Sequence, residues 1–427
     1  MFLLTSTSSS PNEAPARERF TWFMVVLLVM AYKSNDALTN PQFWAEDGRV
    51  FFSEQFGHAW PQLTTSYAGY LLTIPRLIAW CASWFPFAKA PLVYNAGAIL
   101  LSAAAITFTC RRLRFFLPPW IVALSFLAVP TNGEIFGTLT NVQWFLQFFM
   151  AVCCLAPAIA SRSPASPWIR ACGVLLIALT GPFSALLLFV VAGLCGLSWL
   201  ARRTNIDPFD GALAGFNLNR DWHSIAATAV GAVVQVCVIA TTSQGGVSQD
   251  RPVWVLKTTF TELVPPHIFG SDFLTGTSWL VVYALLLFGV VAFRSANGSA
   301  RLLVLGFLGF ASIECFLPML RMTDPEGLNP FSGDRYFYLL KVVWWWAVWM
   351  CLGAGNRRTR ANATLVTTGL ICLFATMNLP QMRRAAFKDF DWHGHSAILE
   401  TPGKHSIPIN PYDWRVEVER RAPAVDK

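Results

Sequence analysis

Residues 60–85 read WPQLTTSYAGYLLTIPRLIAWCASWF. The stretch is apolar enough to suggest a membrane crossing, but Pro75 and Arg76 stand in its middle. A central arginine is costly in a lipid-facing span. An amphipathic helix lying on the membrane surface tolerates it far better. The rest of the chain favours the surface reading. Arginine clusters separate the later apolar runs: Arg111, Arg112 and Arg114; Arg162 and Arg170; Arg202 and Arg203; Arg294 and Arg301; Arg357, Arg358 and Arg360. If residues 60–85 stay on the surface, every cluster falls on one side, which the positive-inside rule makes the cytoplasmic one. If they cross, every cluster flips outward.

Composition sets the class. The chain has 427 residues, 54% hydrophobic and 13% charged, against about a quarter charged in soluble domains. One soluble core could not cover that much apolar surface, and disorder is excluded for the same reason. Apolar runs at 20–38, 91–110, 115–129, 141–160, 168–180, 182–201, 224–242, 278–293, 301–320, 336–353 and 362–380 predict an all-α, polytopic transmembrane helix bundle. At roughly 20 residues per crossing this means about eleven spans, although 115–129 and 168–180 are short for a full one. The expected division is a disordered cytoplasmic N-terminus (1–19), a transmembrane domain (20–380) and a periplasmic tail (381–427). The long outer loops are 39–90, 130–140, 243–277 and 321–335. The implied setting is a bacterial inner membrane. The net charge of +8 follows from the positive-inside rule, and no nucleic-acid partner is expected. The ten cysteines form no CxxC pair and read as small apolar residues. Walker, dinucleotide, zincin and GxSxG motifs are lacking.

Chemistry concentrates in the outer loops. In FWAEDGRVFF (43–52), adjacent Glu46 and Asp47 sit among aromatic residues that would seat the loop at the interface. A partly desolvated carboxylate there can accept a proton from a hydroxyl. Asp47 is the favoured base because Gly48 would leave it accessible; the plainer reading is a solvated acid paired with Arg49. In PTNGEIFGTLTNVQWF (130–145), Glu134, Asn141 and Gln143 suit a polyol, though Thr140 or Asn141 also fits a helix cap. In FSGDRYFYLLK (331–341), Arg335 and Lys341 flank an aromatic cluster at a depth suited to a lipid-carrier phosphate. The plainer reading is an Asp334–Arg335 anchor. Arg76 joins them as a third phosphate candidate.

Two polar residues inside apolar runs hint at a route through the bundle. Glu314 is about 9 Å from the outer end of its run, and intramembrane carboxylates are functional candidates by default. Gln235 is the other. His267 in VPPHIF is a substrate-binding candidate, although a lone loop histidine is more often neither ligand nor base. LTGPFS (179–184) reads as a tight turn. His393 and His395 in the tail have metal-like spacing without further ligands. No resident metal or cofactor is assigned, although outer-loop acids have the chemistry to hold Mg²⁺ weakly.

This layout resembles the GT-C superfamily of polytopic glycosyltransferases, over roughly residues 20–200. Its members place an acidic motif in the first outer loop beside helices on the membrane surface, as Glu46-Asp47 and residues 60–85 are placed here. WAEDG, GYL with Pro75-Arg76, TNVQWF, TGP and IPINPYDW also look like a bacterial family of such membrane proteins with no assigned substrate. The resemblance implies a sugar donor carried on polyprenyl phosphate. It implies that Asp47 or Glu46 activates the acceptor hydroxyl and that Arg335 binds the carrier phosphate. The tail is too small for a soluble acceptor-binding domain, which points to a glycan or lipid acceptor. The alternatives are a transporter or flippase for a lipid-linked or polar solute, and a non-catalytic membrane subunit.

Overall fold

A computed structural model describes residues 16–129, 131, 133–158, 163–218, 220–242, 252–269, 293, 296–322, 333–353 and 384–422. The expected disorder of 1–19 falls largely outside them. So do the run at 362–380, the run at 278–293 up to its last residue, and parts of the loops at 243–277 and 321–335.

The chain is mainly helical: α1 (Ala16–Lys33), α2 (Thr73–Ala82), α3 (Ala90–Leu113), α4 (Pro119–Leu127), α5 (Gln143–Leu155), α6 (Ala165–Ala178), α7 (Phe183–Thr204), α8 (Trp222–Thr241), α9 (Val264–Phe269), α10 (Gly298–Met319) and α11 (Tyr338–Gly353). Among the described residues, four stretches are long and apolar enough to cross a membrane: Phe87–Leu113, Phe183–Thr204, Trp222–Thr241 and Gly298–Met319. This corrects the expectation of about eleven full spans. The run at 115–129 yields only α4, because Pro118 and Pro119 delay the helix start. Its nine residues reach about 14 Å, under half of a ~30 Å hydrocarbon core. The short apolar helix α5 is an interior element, with every residue but Phe149 buried.

Residues 60–85 also resolve by length. Residues 60–72 form turns, and α2 has ten residues, about 15 Å, too few to span. Pro75 lies in the first turn of α2, where its missing N–H leaves no interior bond unmade. Arg76 turns inward and is 1% exposed.

The bundle packs α3 against α1, α4 and α5, α8 against α6 and α7, and α10 against α11 and α7. The α6–α8 approach is close. A Cβ on Gly231 would stand 2.4 Å from that of Ala178, the small-residue contact that membrane helices favour. Some arginines of the basic clusters do local work. Arg112 donates to the Val152 and Ala156 carbonyls at the end of α5, where cations suit helix C-termini. Arg170 pairs with Asp221, whose carboxylate also accepts the Ser224 N–H at the start of α8.

The all-α expectation is corrected in the tail, which contains a small sheet. Strands β1 (Gly403–Ile409) and β2 (Trp414–Arg420) form an antiparallel hairpin with Gly403 opposite Arg420 and Ile409 opposite Trp414. The alternation in HSIPI and WRVEVE puts Ile407, Ile409, Val416 and Val418 on the buried face. Ahead of it, Trp392 is buried edge-on against Phe43 and Phe52, and its indole N–H donates to the Phe87 carbonyl at 2.9 Å. Arg384 pairs with Asp36 and donates to the Phe136 carbonyl. The tail thus straps the first two loops together.

Candidate functional site

Glu46 and Asp47 are neighbours with opposite surroundings. Ala45 precedes them at φ 37°, a left-handed conformation that costs a non-glycine residue about 1–2 kcal/mol. The tail stabilises it, since the Ala45 N–H donates to the Asn410 carbonyl and the Asn410 N–H donates to that of Phe43. Gly48 follows. A Cβ there would stand 2.7 Å from Ile409 and 2.9 Å from Val416, so this glycine serves the close approach of the hairpin. The expectation that Gly48 leaves Asp47 accessible is corrected, because Asp47 is fully buried.

Three donors take the Asp47 carboxylate. The Leu139 N–H reaches Oδ2 at 2.8 Å, and the Thr140 N–H and hydroxyl reach Oδ1 at 2.6 and 2.7 Å. These amides open the helical turn leading into α5, so the helix is capped by a residue 92 positions away. Burial raises the Asp47 carboxyl to about 7, against the three hydrogen bonds that lower it and with a smaller push from Glu46. The cap considered for Asn141 is therefore supplied by Asp47. Asn141 instead donates to the Glu134 carbonyl at 3.0 Å and to the Thr138 hydroxyl at 2.9 Å. Gln143 donates to the Thr140 carbonyl. Its Oε1 lies where a Cβ on Gly181 would come within 2.6 Å, at φ +98°. Asp47, Asn141 and Gln143 together hold the second loop in place.

That loop brings Glu134 to the third constellation. The Arg335 N–H donates to Glu134 Oε1 at 3.3 Å. Burial raises the Glu134 carboxyl; Arg335 opposes this, while Asp334 and Glu46 add to it. Burial pulls the Arg335 guanidinium down, but Tyr336, Glu134 and Glu46 outweigh it and hold it above its ordinary value. Glu46, 7% exposed, accepts the Tyr67 hydroxyl on Oε1 at 3.2 Å. Its Oε2 has no hydrogen-bond partner among the described residues. Tyr67 and Tyr70 face each other through an isolated two-residue bridge. Tyr336 packs edge-on against Trp144 at 5.6 Å, and the Trp144 indole N–H is also without a partner among the described residues. Glu46, Glu134 and Arg335 converge in an aromatic frame of Tyr67, Tyr70, Tyr336 and Trp144. Sequence reasoning missed the frame, for which an aromatic-rich interface loop was the only signal.

The remaining candidates lie elsewhere. His267 Nδ1 is 2.9 Å from Asp334 Oδ1, which Lys341 also contacts. Burial raises the Asp334 carboxyl, but Lys341 and His267 overcome this and hold it at about 2. Burial lowers the His267 imidazole against the pull of Asp334, and the ring stacks on Phe337 at 3.8 Å. This trio braces the turn that carries Arg335, and Lys341 is spent on Asp334 rather than presented at a surface. Arg76 Nη2 lies 2.7 Å from Glu54 Oε2, at angles outside hydrogen-bond geometry, with Phe51 under its guanidinium. It is an internal ion pair. Gln235 clamps a turn: its Oε1 accepts the Leu71 N–H at 2.9 Å and its Nε2 donates to the Leu71 carbonyl at 3.1 Å. Glu314 is buried in α10, and neither oxygen has a hydrogen-bond partner among the described residues. Also among the described residues, no group of three His, Cys, Asp or Glu side chains is arranged to hold a metal.

No protein-family model, no curated protein and no solved structure matches the chain.

Proposed function

We propose that the protein is a membrane glycosyltransferase of GT-C type in a bacterial inner membrane. It would move a sugar from a polyprenyl-phosphate donor to a cell-envelope glycan or lipid on the periplasmic side. One observation carries this reading: Glu46, Glu134 and Arg335, from three separate segments, are grouped closely enough to influence one another's charge, in an aromatic frame.

Glu46 is the base in this proposal. Its Oε2 has a lone pair unclaimed by any described residue, whereas both Asp47 oxygens are occupied. Glu46 takes the acceptor hydroxyl proton, the acceptor oxygen bonds to the anomeric carbon, and the bond from that carbon to the carrier phosphate breaks. Arg335 holds the departing phosphate. Glu134 orients Arg335 and accepts from sugar hydroxyls, and Asp47 positions the second loop. Lys341 and Arg76 drop out of the phosphate-binding set because internal carboxylates hold them. The transporter reading needs a polar path through the bundle. Gln235 is satisfied by backbone, which leaves Glu314 as the polar residue in its favour.

The test is sugar transfer in proteoliposomes from a radiolabelled polyprenyl-phosphate sugar to extracted envelope glycan. Transfer that Glu46→Gln and Arg335→Gln abolish supports the reading. Solute flux without product overturns it in favour of transport.

A further inference from the structure

A cavity of about 1000 Å³ opens further along the segment that carries Glu46, lined by Gln55, Phe56, Ser83, Trp84, Phe87 and Arg420 among others. Three parts of the chain build it: the helical segment running on from Asp47, the end of α2, and β2 of the tail hairpin. Its size is at the top of the range for small-ligand sites. Its wall is mixed. The Phe56 and Phe87 rings lie 5.3 Å apart, and Trp84 is 65% exposed. The Ser83 hydroxyl, which donates to the Trp80 carbonyl and keeps its acceptor lone pairs, and the Arg420 guanidinium, whose Nη1 serves the Leu399 carbonyl and Glu400, stand among them. Gln55, 4% exposed, spends its Nε2 on the His58 and Trp60 carbonyls. Its Oε1 has no hydrogen-bond partner among the described residues.

We propose that this groove binds an oligosaccharide. A sugar offers an apolar ring face to Trp84 and hydroxyls to the polar wall. An acyl chain would instead cover the remaining lone pairs of Ser83 and the other guanidinium N–H groups of Arg420 without hydrogen-bonding them. Glu46 does not line the groove but belongs to the same segment. Gln55 lies nine residues further along a continuous helical stretch, on the order of 13 Å at helical rise. The groove is thus the acceptor subsite of the proposed transfer. That role rests on the transferase reading, whereas saccharide binding does not.

The experiment is binding of triacetylchitotriose and mannotriose to the full chain in nanodiscs, followed by tryptophan fluorescence and calorimetry. Saturable binding of either trisaccharide is expected, at least tenfold weaker in Trp84→Ala and blocked in Ser83→Trp. Thermal unfolding reports whether each variant is folded. Ser83 and Trp84 are exposed, so neither substitution empties the core. No binding of either sugar overturns the proposal, as does binding that both variants leave intact. Trp84-dependent uptake of a fluorescent fatty acid in place of sugar overturns it in favour of a lipid groove. Binding without any transfer activity upholds the groove and removes the transferase reading.

Discussion

Asp47 and Glu46 are adjacent in sequence and belong to different regions of the molecule. Asp47 lies in the anchor between the first two loops, where three donors saturate it. Glu46 faces the cluster with Arg335 and Glu134, where one phenol reaches it and one oxygen is left over. A carboxylate that completes a buried hydrogen-bond set holds structure; one that leaves capacity unused is available to a substrate. Neighbouring helical residues point about 100° apart, and that angle separates the two roles.

The largest expected effect breaks the contrast from the Glu46 side. Glu46→Gln lowers transfer by about 10²–10⁴-fold, the usual worth of a general base, with the thermal midpoint unchanged. Asp47→Ala acts through stability instead. It orphans the buried Leu139 and Thr140 amides at about 1–3 kcal/mol per donor, read as a lower midpoint with activity falling in step. Gln235→Leu sharpens the account of the bundle. Leaving the Leu71 N–H and C=O unpaired costs about 1–3 kcal/mol each, while any solute flux stays as in the wild type. Gly48→Val pushes the hairpin off the first loop, so limited proteolysis cuts the tail faster.

A separate effect is on pH dependence. The Asp47 carboxyl titrates at about 7 in the fold against an ordinary 3.8. Between those values the folded form carries a proton that the unfolded form has lost. Stability therefore rises as pH falls from about 7 toward 4, through this group, and is flat above 7. Asp47→Asn flattens that slope in pH-dependent thermal unfolding.

Much of this was legible in the sequence, in uneven parts. Pro75 and Arg76 argued against a crossing by residues 60–85, and the ten residues of α2 are too few for one. Glu46-Asp47, Glu134 and Arg335 were singled out as charged groups in outer loops, with Asp47 rather than Glu46 favoured as the base. Their division of labour from Asp47 was not legible, since it depends on two backbone amides 92 and 93 residues away. The roles of Gln235 and Lys341 were hidden for the same reason: their partners, Leu71 and Asp334, are fixed only by tertiary packing. The number of spans was overcounted because hydropathy does not distinguish an apolar helix facing lipid from one such as α5, packed inside protein. The hairpin did leave a signal, a period-two alternation on either side of the Asn410–Asp413 turn.

The most direct test measures Glu46→Gln and Asp47→Asn side by side for sugar transfer and thermal unfolding. The account predicts that Glu46→Gln unfolds like the wild type and transfers no sugar, and that Asp47→Asn loses stability and activity together. An active Glu46→Gln, or an Asp47→Asn that keeps its midpoint while losing transfer, would contradict it and return the base to Asp47 or the function to another class.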